Sequence, residues 1–325
     1  MAEFGLCKFV FIFFINSLQP FIHFVSQNDQ VGFSDLGGAY IRPGQNHILR
    51  LLKEFDLYSK LYSADSDGQN LYYDAIRKKR LRFSGMPNLG LLAWLDLNHV
   101  FRLLDKHGHD VLVDALWSHS FAEEWDQMTV KQFVLQNTST AVSREYLRVF
   151  VSTMVSSEWY QVSLLFFVWY IKQCGGTKAM FASGGPEFKL VGGAQQIAHC
   201  LADRLGRSKV LLNQPVCQLQ QRDDSVTTVT LKGDEYVSEY IIMATPPAVQ
   251  QKIAYFPPLS PMRNQLIQRA PQGSVFKCIL FYKTAFWRDL NLNGCLVLIG
   301  SDERVPMPFT FDDTKPDGTL PAILG

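Results

Sequence analysis

With 325 residues the chain is long enough for two ordinary domains, or for one large domain with an inserted layer, and its 47% hydrophobic share can fill a sizeable core. Thirty-one basic residues face thirty acidic ones. No global field therefore draws nucleic acid or an acidic surface, and a small or apolar partner fits better.

The first 25 residues differ from the rest. Between Leu6 and Val25 the only formal charge is Lys8, beside the unbroken apolar run Phe9, Val10, Phe11, Ile12, Phe13 and Phe14. About twenty mostly apolar residues can span a bilayer, so residues 6–25 suit a signal peptide or membrane anchor. Gln19, Pro20, His23, a weakly positive start and the lack of a small-x-small cleavage site suit another reading, an alternative start foreign to the fold.

Apolar residues Ile48, Leu49, Leu51, Leu52, Phe55 and Leu57 predict a helix over 46–63, punctuated by Gly44 before it and by 65–68 after it. A second helix is expected over 98–105, ending in the polar Lys106-His107-Gly108-His109 loop. Thr129 is a plausible N-cap for a helix near 128–135. The pattern over 143–172 is helical, interrupted at 156–158, and its part from 164 to 171 is apolar on nearly every side, which implies burial. After Gly192 and Gly193 comes a helix over 194–205, closed by Gly206. The period then changes to short β-type runs at 210–212, 216–220, 226–231 and 237–244, a small antiparallel meander, with further strands at 274–283 and 295–299. The mixture is α/β with a meander plus a helical layer on a second sheet, in two interleaved domains.

The strand expected at 274–283 holds the clearest anomaly. Alternation puts Val275, Lys277, Ile279 and Phe281 on one face, so an ammonium falls within an apolar row. A buried lysine needs a partner and marks a site; on an edge strand it would reach water instead. Asp35-Leu36-Gly37-Gly38-Ala39-Tyr40 is a glycine turn closed by an aromatic, able to approach something flat, or simply a tight turn. Glu123-Glu124-Trp125-Asp126 groups three carboxylates, best explained as an exposed acidic helix start. The six cysteines stand at 7, 174, 200, 217, 278 and 295, none in a Cys-x-x-Cys pair or at zinc-finger spacing from a histidine. His107 and His109 lack a third ligand nearby, so no metal site is expected. Wide cysteine spacing favours a reducing compartment, while the even count leaves a disulfide open. The chain has no Gly-x-Gly-x-x-Gly, Walker loop or Gly-x-Ser-x-Gly.

Several of these segments together resemble the flavin-dependent monoamine oxidases. The 35–40 turn, followed by Pro43 and Gln45-Asn46, is similar to their flavin-proximal turn. Phe121-Ala122-Glu123-Glu124-Trp125-Asp126 with Met128-Thr129 resembles their entrance region, and Trp169-Tyr170-Ile171-Lys172-Gln173-Cys174-Gly175-Gly176-Thr177 a run before their gating residue. Val191-Gly192-Gly193, Gln214-Pro215-Val216, Pro246-Pro247, Gly273-Ser274-Val275-Phe276-Lys277-Cys278 and Asp312-Asp313-Thr314-Lys315-Pro316-Asp317-Gly318 continue the match in order, from about residue 27 to Gly325.

The resemblance implies a two-domain FAD-binding amine oxidase fold, in part. Residues 27–59 and 191–266 would be a partial FAD-binding domain, 60–190 and 267–325 an incomplete substrate domain, and 1–26 would match neither. It implies oxidation of primary arylalkyl amines to imines, with oxygen reduced to hydrogen peroxide. Lys277 would hold a water beside the flavin. Gly37, Gly38 and Tyr40 would lie against the isoalloxazine end, and the backbone of Val216 would meet the adenine part. Phe181 would be the gate, with Phe150, Thr153, Met154 and Phe309 lining the amine cavity. The family's setting is the mitochondrial outer membrane, and the resemblance admits a homodimer.

The departures also carry expectations. The family's glycine-rich fingerprint precedes the matched region, and its flavin-attachment cysteine, two cage tyrosines and tail helix follow it. Pro186 stands where the family has a glutamine facing the substrate, and Arg42 replaces a glycine beside the flavin turn. Without the first βαβ unit, whose helix N-terminus neutralises the pyrophosphate, weak FAD binding is expected. The alternative reading is therefore a non-catalytic amine oxidase-like chain, membrane-tethered or partner-binding.

Overall fold

A computed structural model describes residues 7–12, 22–27, 30–64, 67–181, 187–300 and 307–325, with backbone alone for 7–12, 22–27, 30–31 and 181. The chain forms two compact units, one from 1–39 with 192–273 and the other from 40–191 with 274–325. Tyr40 and its successors belong to the second unit because Ile41 exchanges two backbone hydrogen bonds, each 2.8 Å, with Phe188. The division therefore falls at residue 39, where the sequence suggested 59.

In the first unit, Val216–Gln221, Val226–Thr230 and Glu235–Met243 form the expected antiparallel meander. Ala254–Phe256 adds a parallel strand beside Val216–Gln221, and Cys7–Ile12 another beside Glu235–Met243. The apolar start is thus extended over 7–12 rather than helical, as its aromatic and β-branched residues favour. Residues 6 and 13–21 of the proposed anchor lie outside the described residues. No described helix is long and apolar enough to cross a membrane. Ile22–Gln27 and Gln30–Asp35 pair as a hairpin.

Residues 210–212 form no strand. A 3-10 turn at Arg207–Lys209, a left-handed Asn213 (φ 58°) and Pro215, which lacks an N–H, prevent a continuous ladder there. Helix Gln195–Leu205 ends as expected at Gly206, whose φ of 89° suits glycine. Leu219, Val226 and Ile253 form this unit's small buried core.

In the second unit a six-stranded sheet runs in the order Ile279–Phe281, Ala322–Leu324, Phe309–Asp312, Leu292–Ile299, Gln69–Asp74 and Lys79–Phe83. Its Tyr72, Phe83, Val297 and Ile299 join one core with helical residues including Leu97, Phe101, Leu104, Phe150, Phe167 and Val168. The helix expected over 46–63 stops at Glu54. Asp56 turns left-handed, and Leu61–Ser63 pairs with Phe188–Leu190 instead. The helix expected over 98–105 spans Leu91–His109, because Gly108 packs against Val168 and the His107 ring packs tilted against Trp125 at 4.5 Å. Its cationic last turn also faces the helix's negative end. His107 is therefore a packed helical residue, not part of a polar loop.

The long helical pattern divides into Ala141–Val155 and Leu164–Gln173, broken at Ser156 with φ 52°. Leu164, Leu165, Phe167, Val168 and Ile171 are buried, as the all-round apolar pattern implied. Glu123 and Glu124 occupy the exposed first turn of Ala122–Gln127. The expected strand 274–283 shrinks to Ile279–Phe281, since ladder partners exist only from Cys278 to Tyr282, and Val275 and Phe276 are each 78% exposed.

Thr129 makes a reciprocal capping box with Gln132 at the head of Val130–Asn137. This satisfies two N–H groups that the helix cannot satisfy itself. Thr129→Ala is expected to lower stability by about 1 kcal/mol, read as a lower urea midpoint with an unchanged slope; an unchanged midpoint would show that the cap contributes nothing.

Candidate active site

The pairing of Ile41 with Phe188 sets Tyr40 beside Lys189, the middle residue of strand Phe188–Leu190. Lys189 is only 4% exposed, in a strand whose flanking side chains are apolar. Its ammonium pairs with Asp313 and lies 4.7 Å from the centroid of the Tyr40 ring. Lys315 donates to the other Asp313 oxygen at 3.2 Å. Burial alone would lower the pKa of Lys189, but Tyr40 and Asp313 outweigh it and hold the ammonium well above its usual range. Burial raises the Tyr40 phenol, and Lys189 partly offsets that rise.

Asp312 and Asp313 are consecutive and serve different partners. Asp312 accepts from Trp287 Nε1 at 2.9 Å, Arg288 Nε at 2.7 Å and Thr314 N at 2.8 Å. Burial pushes its pKa up, but these donors hold it below the usual carboxylate range. The 312–318 segment is thereby fixed on both sides of its strand end.

Around Tyr40 the second unit forms a partly open cavity of about 250 Å³. Its apolar wall includes Phe150, Met154, Val297, Phe309 and Phe311, and its polar wall includes Arg42, Glu187, Asn70, Asn293 and Asp312. Four residues named from the sequence, Tyr40, Phe150, Met154 and Phe309, thus meet in one space. Thr153 is half-buried outside that lining. The Phe181 side chain lies outside the described residues, although Ala179 and Met180 before it line the cavity. Lys277 is half-buried and does not line it. Sequence reasoning missed Lys189, Asp313 and the Arg42–Glu187 pair. Lys189 carried a usable signal, a cation between Phe188 and Leu190, of the kind that singled out Lys277.

Gly37, Gly38 and Val216 lie in the first unit. A Cβ at Gly38 would meet nothing within 4 Å, so open space adjoins the double-glycine bend. Val216 is half-buried at a register shift in its ladder with Val226–Thr230. Buried side-chain atoms here without a hydrogen-bond partner among the described residues are Ser34 Oγ, Gln195 Oε1, His199 Nδ1, Gln214 Oε1, Thr228 Oγ1, Ser238 Oγ and Thr245 Oγ1. Such atoms are costly unless a ligand or water satisfies them. The unit therefore carries unmet polar capacity that a polar ligand or bound water would satisfy. Among the described residues no cluster of three or more His, Cys, Asp or Glu could hold a metal ion.

Removing Asp313 leaves the buried Lys189 ammonium without its carboxylate, whereas removing Lys189 leaves Asp313 paired with Lys315. Asp313→Asn is expected to destabilise the protein by about 3–5 kcal/mol, measured by thermal or urea unfolding, whereas an exposed substitution such as Lys178→Met changes little. A loss below about 1 kcal/mol, the range of a surface pair, would show that the contact is solvated.

Comparison with known proteins agrees with this geometry. A family described as flavin containing amine oxidoreductase matches residues 25–325. Amine oxidase [flavin-containing] of Oncorhynchus mykiss is 42% identical over 306 residues, covering 93% of this chain and 57% of that protein. Amine oxidase [flavin-containing] A of Canis lupus familiaris is 41% identical over 303 residues, covering 92% of this chain and 56% of that protein. The chain thus spans a little over half the length of these relatives. Among solved structures, putrescine oxidase bound to putrescine has a TM-score of 0.83 at 22% identity, covering 93% of this chain and 66% of that one. Cyclohexylamine oxidase from Brevibacterium oxydans IH-35A has a TM-score of 0.80 at 27% identity, covering 90% and 64%. The fold is that of the FAD-binding amine oxidases, and the chain belongs to the flavin-containing amine oxidoreductase family.

Proposed function

We propose that the chain takes part in FAD-dependent oxidation of primary arylalkyl amines to imines. The observation that carries this reading is the shared cavity of Tyr40, Phe150, Met154 and Phe309. Its aromatic wall suits an aryl ring, and about 250 Å³ approaches the lower size range of small-ligand pockets. When bound, FAD supplies the two-electron acceptor that turns the amine into an imine and passes the electrons to oxygen as hydrogen peroxide.

The chain's own residues supply position and environment. Phe150, Met154 and Phe309 would hold the ring and exclude water, while the clamped Tyr40 ring keeps the cavity's shape. In the first unit, the Gly37-Gly38 bend would admit the flat end of the flavin, with Val216 meeting its adenine part by backbone. The orphaned Gln195 and Gln214 oxygens give a polar ligand acceptors to engage. Lys277 would hold a water and stabilise negative charge as oxygen takes electrons. Phe181 belongs to the same reading as the gate, and the mitochondrial outer membrane is its cellular setting.

Titration of the purified chain with FAD is expected to give a bound flavin spectrum that bleaches when 2-phenylethylamine is added anaerobically. No bound flavin would remove the enzymatic reading and leave a non-catalytic relative. In flavin-loaded protein, Lys277→Met is expected to slow reoxidation by about a hundredfold, the cost of losing one preorganised electrostatic contact, with little change in amine binding. Equal losses in both half-reactions would count against the oxygen-side role.

A further inference from the structure

The cavity wall carries a charged pair that the family resemblance does not supply, since Arg42 stands where that family has a glycine. Arg42 donates from Nε, at 2.6 Å, and from Nη2 to one oxygen of Glu187, Oε1. Among the described residues nothing bonds Arg42 Nη1 or Glu187 Oε2. The two side chains are 32% and 27% exposed, and both line the cavity. Asp312, the other charged lining group, has its oxygens engaged by Thr314, Trp287 and Arg288. Arg42 and Glu187 are therefore the charged lining residues with capacity left for a ligand.

That capacity is a guanidinium N–H edge beside a carboxylate oxygen. A ligand carboxylate attracted by Arg42 would also meet Glu187, and a second ammonium attracted by Glu187 would meet Arg42. At such short separations each attraction is offset by a repulsion of similar size. A hydroxyl escapes this opposition, because it accepts from the guanidinium and donates to the carboxylate without a net charge. Burial works against the charge on Arg42, yet the hydrogen bond and charge of Glu187 prevail and hold the guanidinium in its charged form.

We propose that Arg42 and Glu187 form a specificity subsite that reads a hydroxyl on the substrate, so that the cavity favours a hydroxylated arylalkylamine over its unsubstituted parent. The assignment rests on the cavity being the amine site. It concerns a donor–acceptor pair created by this chain's own Arg42, not the aromatic lining that the resemblance already implies.

The test is calorimetric titration of the full chain with 2-phenylethylamine and with its 4-hydroxy, 4-carboxy and 4-aminomethyl derivatives. The hydroxy compound is expected to bind about tenfold more tightly than the parent, as befits hydrogen bonds to charged groups. Arg42→Gly and Arg42→Gln are expected to remove that ratio while parent binding persists, with circular dichroism melting to verify folding. The wild-type series decides the matter even if neither variant folds. Equal affinity for hydroxy and parent compounds overturns the proposal. So does a ratio that survives both substitutions, or tightest binding by the carboxylate or the diamine. Failure of all four compounds to bind overturns the amine-cavity reading itself, an outcome distinct from binding without selectivity.

Discussion

The wall of the larger unit's cavity depends on one buried contact, the ammonium of Lys189 against the carboxylate of Asp313. The partners are 124 positions apart in sequence, and their side chains are 5% and 3% exposed. Neither charge is tolerable alone at that depth, so the contact joins strand Phe188–Leu190 to the 312–318 segment. Several lining groups inherit their place from it. Tyr40 is next to Ile41, which is bonded to Phe188, while Phe311 and Asp312 immediately precede Asp313. The Tyr40 ring, with Lys189 at 4.7 Å and Phe311 at 6.3 Å, is held by a cation and an aromatic edge rather than by packing alone.

The same segment shows how ionisation and shape are coupled. Lys189 is held above its ordinary value of 10.5, so its stabilisation is fully present below that value and is lost only as pH rises through the folded-state pKa. Asp312 is held below its ordinary 3.8, so its contribution is present above that value and fades as pH falls through the lower folded-state pKa. Both contacts are therefore intact across the neutral range, and the cavity wall keeps its form there. The Arg42–Glu187 pair differs in kind. It is about one-third exposed and half satisfied, which makes it a modest source of stability and a ready partner for a ligand.

Much of the architecture was legible where local chemistry agrees with the tertiary environment. Thr129 caps its helix, Gly206 closes another, and the meander strands fall close to their β-rich runs. The errors have particular causes. Residues 91–97 conceal a helix because Leu91, Leu92, Trp94 and Leu95 are exposed and blur the apolar stripe. Leu57 continues the helical rhythm of 46–54, yet it is buried through a turn at left-handed Asp56. Residues 210–212 have strand-like composition without a ladder partner. At the cavity, family resemblance named aromatics that do converge. It could not name Arg42 and Glu187 as a pair, because their contact spans 145 positions and depends on a residue foreign to the resemblance.

The two units also differ in how they signal a ligand. The second offers an aromatic-walled cavity, and the first holds most of the unmet hydrogen-bonding capacity among the described residues. Hydroxyls such as those of Thr228 and Ser238 are the weaker part of that argument, since a rotating O–H adapts to small changes in neighbouring carbonyls. The amide oxygens of Gln195 and Gln214 are the stronger part, being fixed acceptors for which an unmet bond costs about 1–3 kcal/mol each. Gln195 starts the helix that follows Gly192-Gly193, and Gln214 belongs to the Gln-Pro-Val segment entering strand Val216–Gln221. Gln214 lies within a segment that carries the family resemblance and Gln195 two positions beyond another, so sequence likeness and electrostatic cost fall in the same stretches of chain. A dinucleotide, rich in hydroxyl and amide donors, would recover that cost on binding, whereas an apolar ligand would leave it in place.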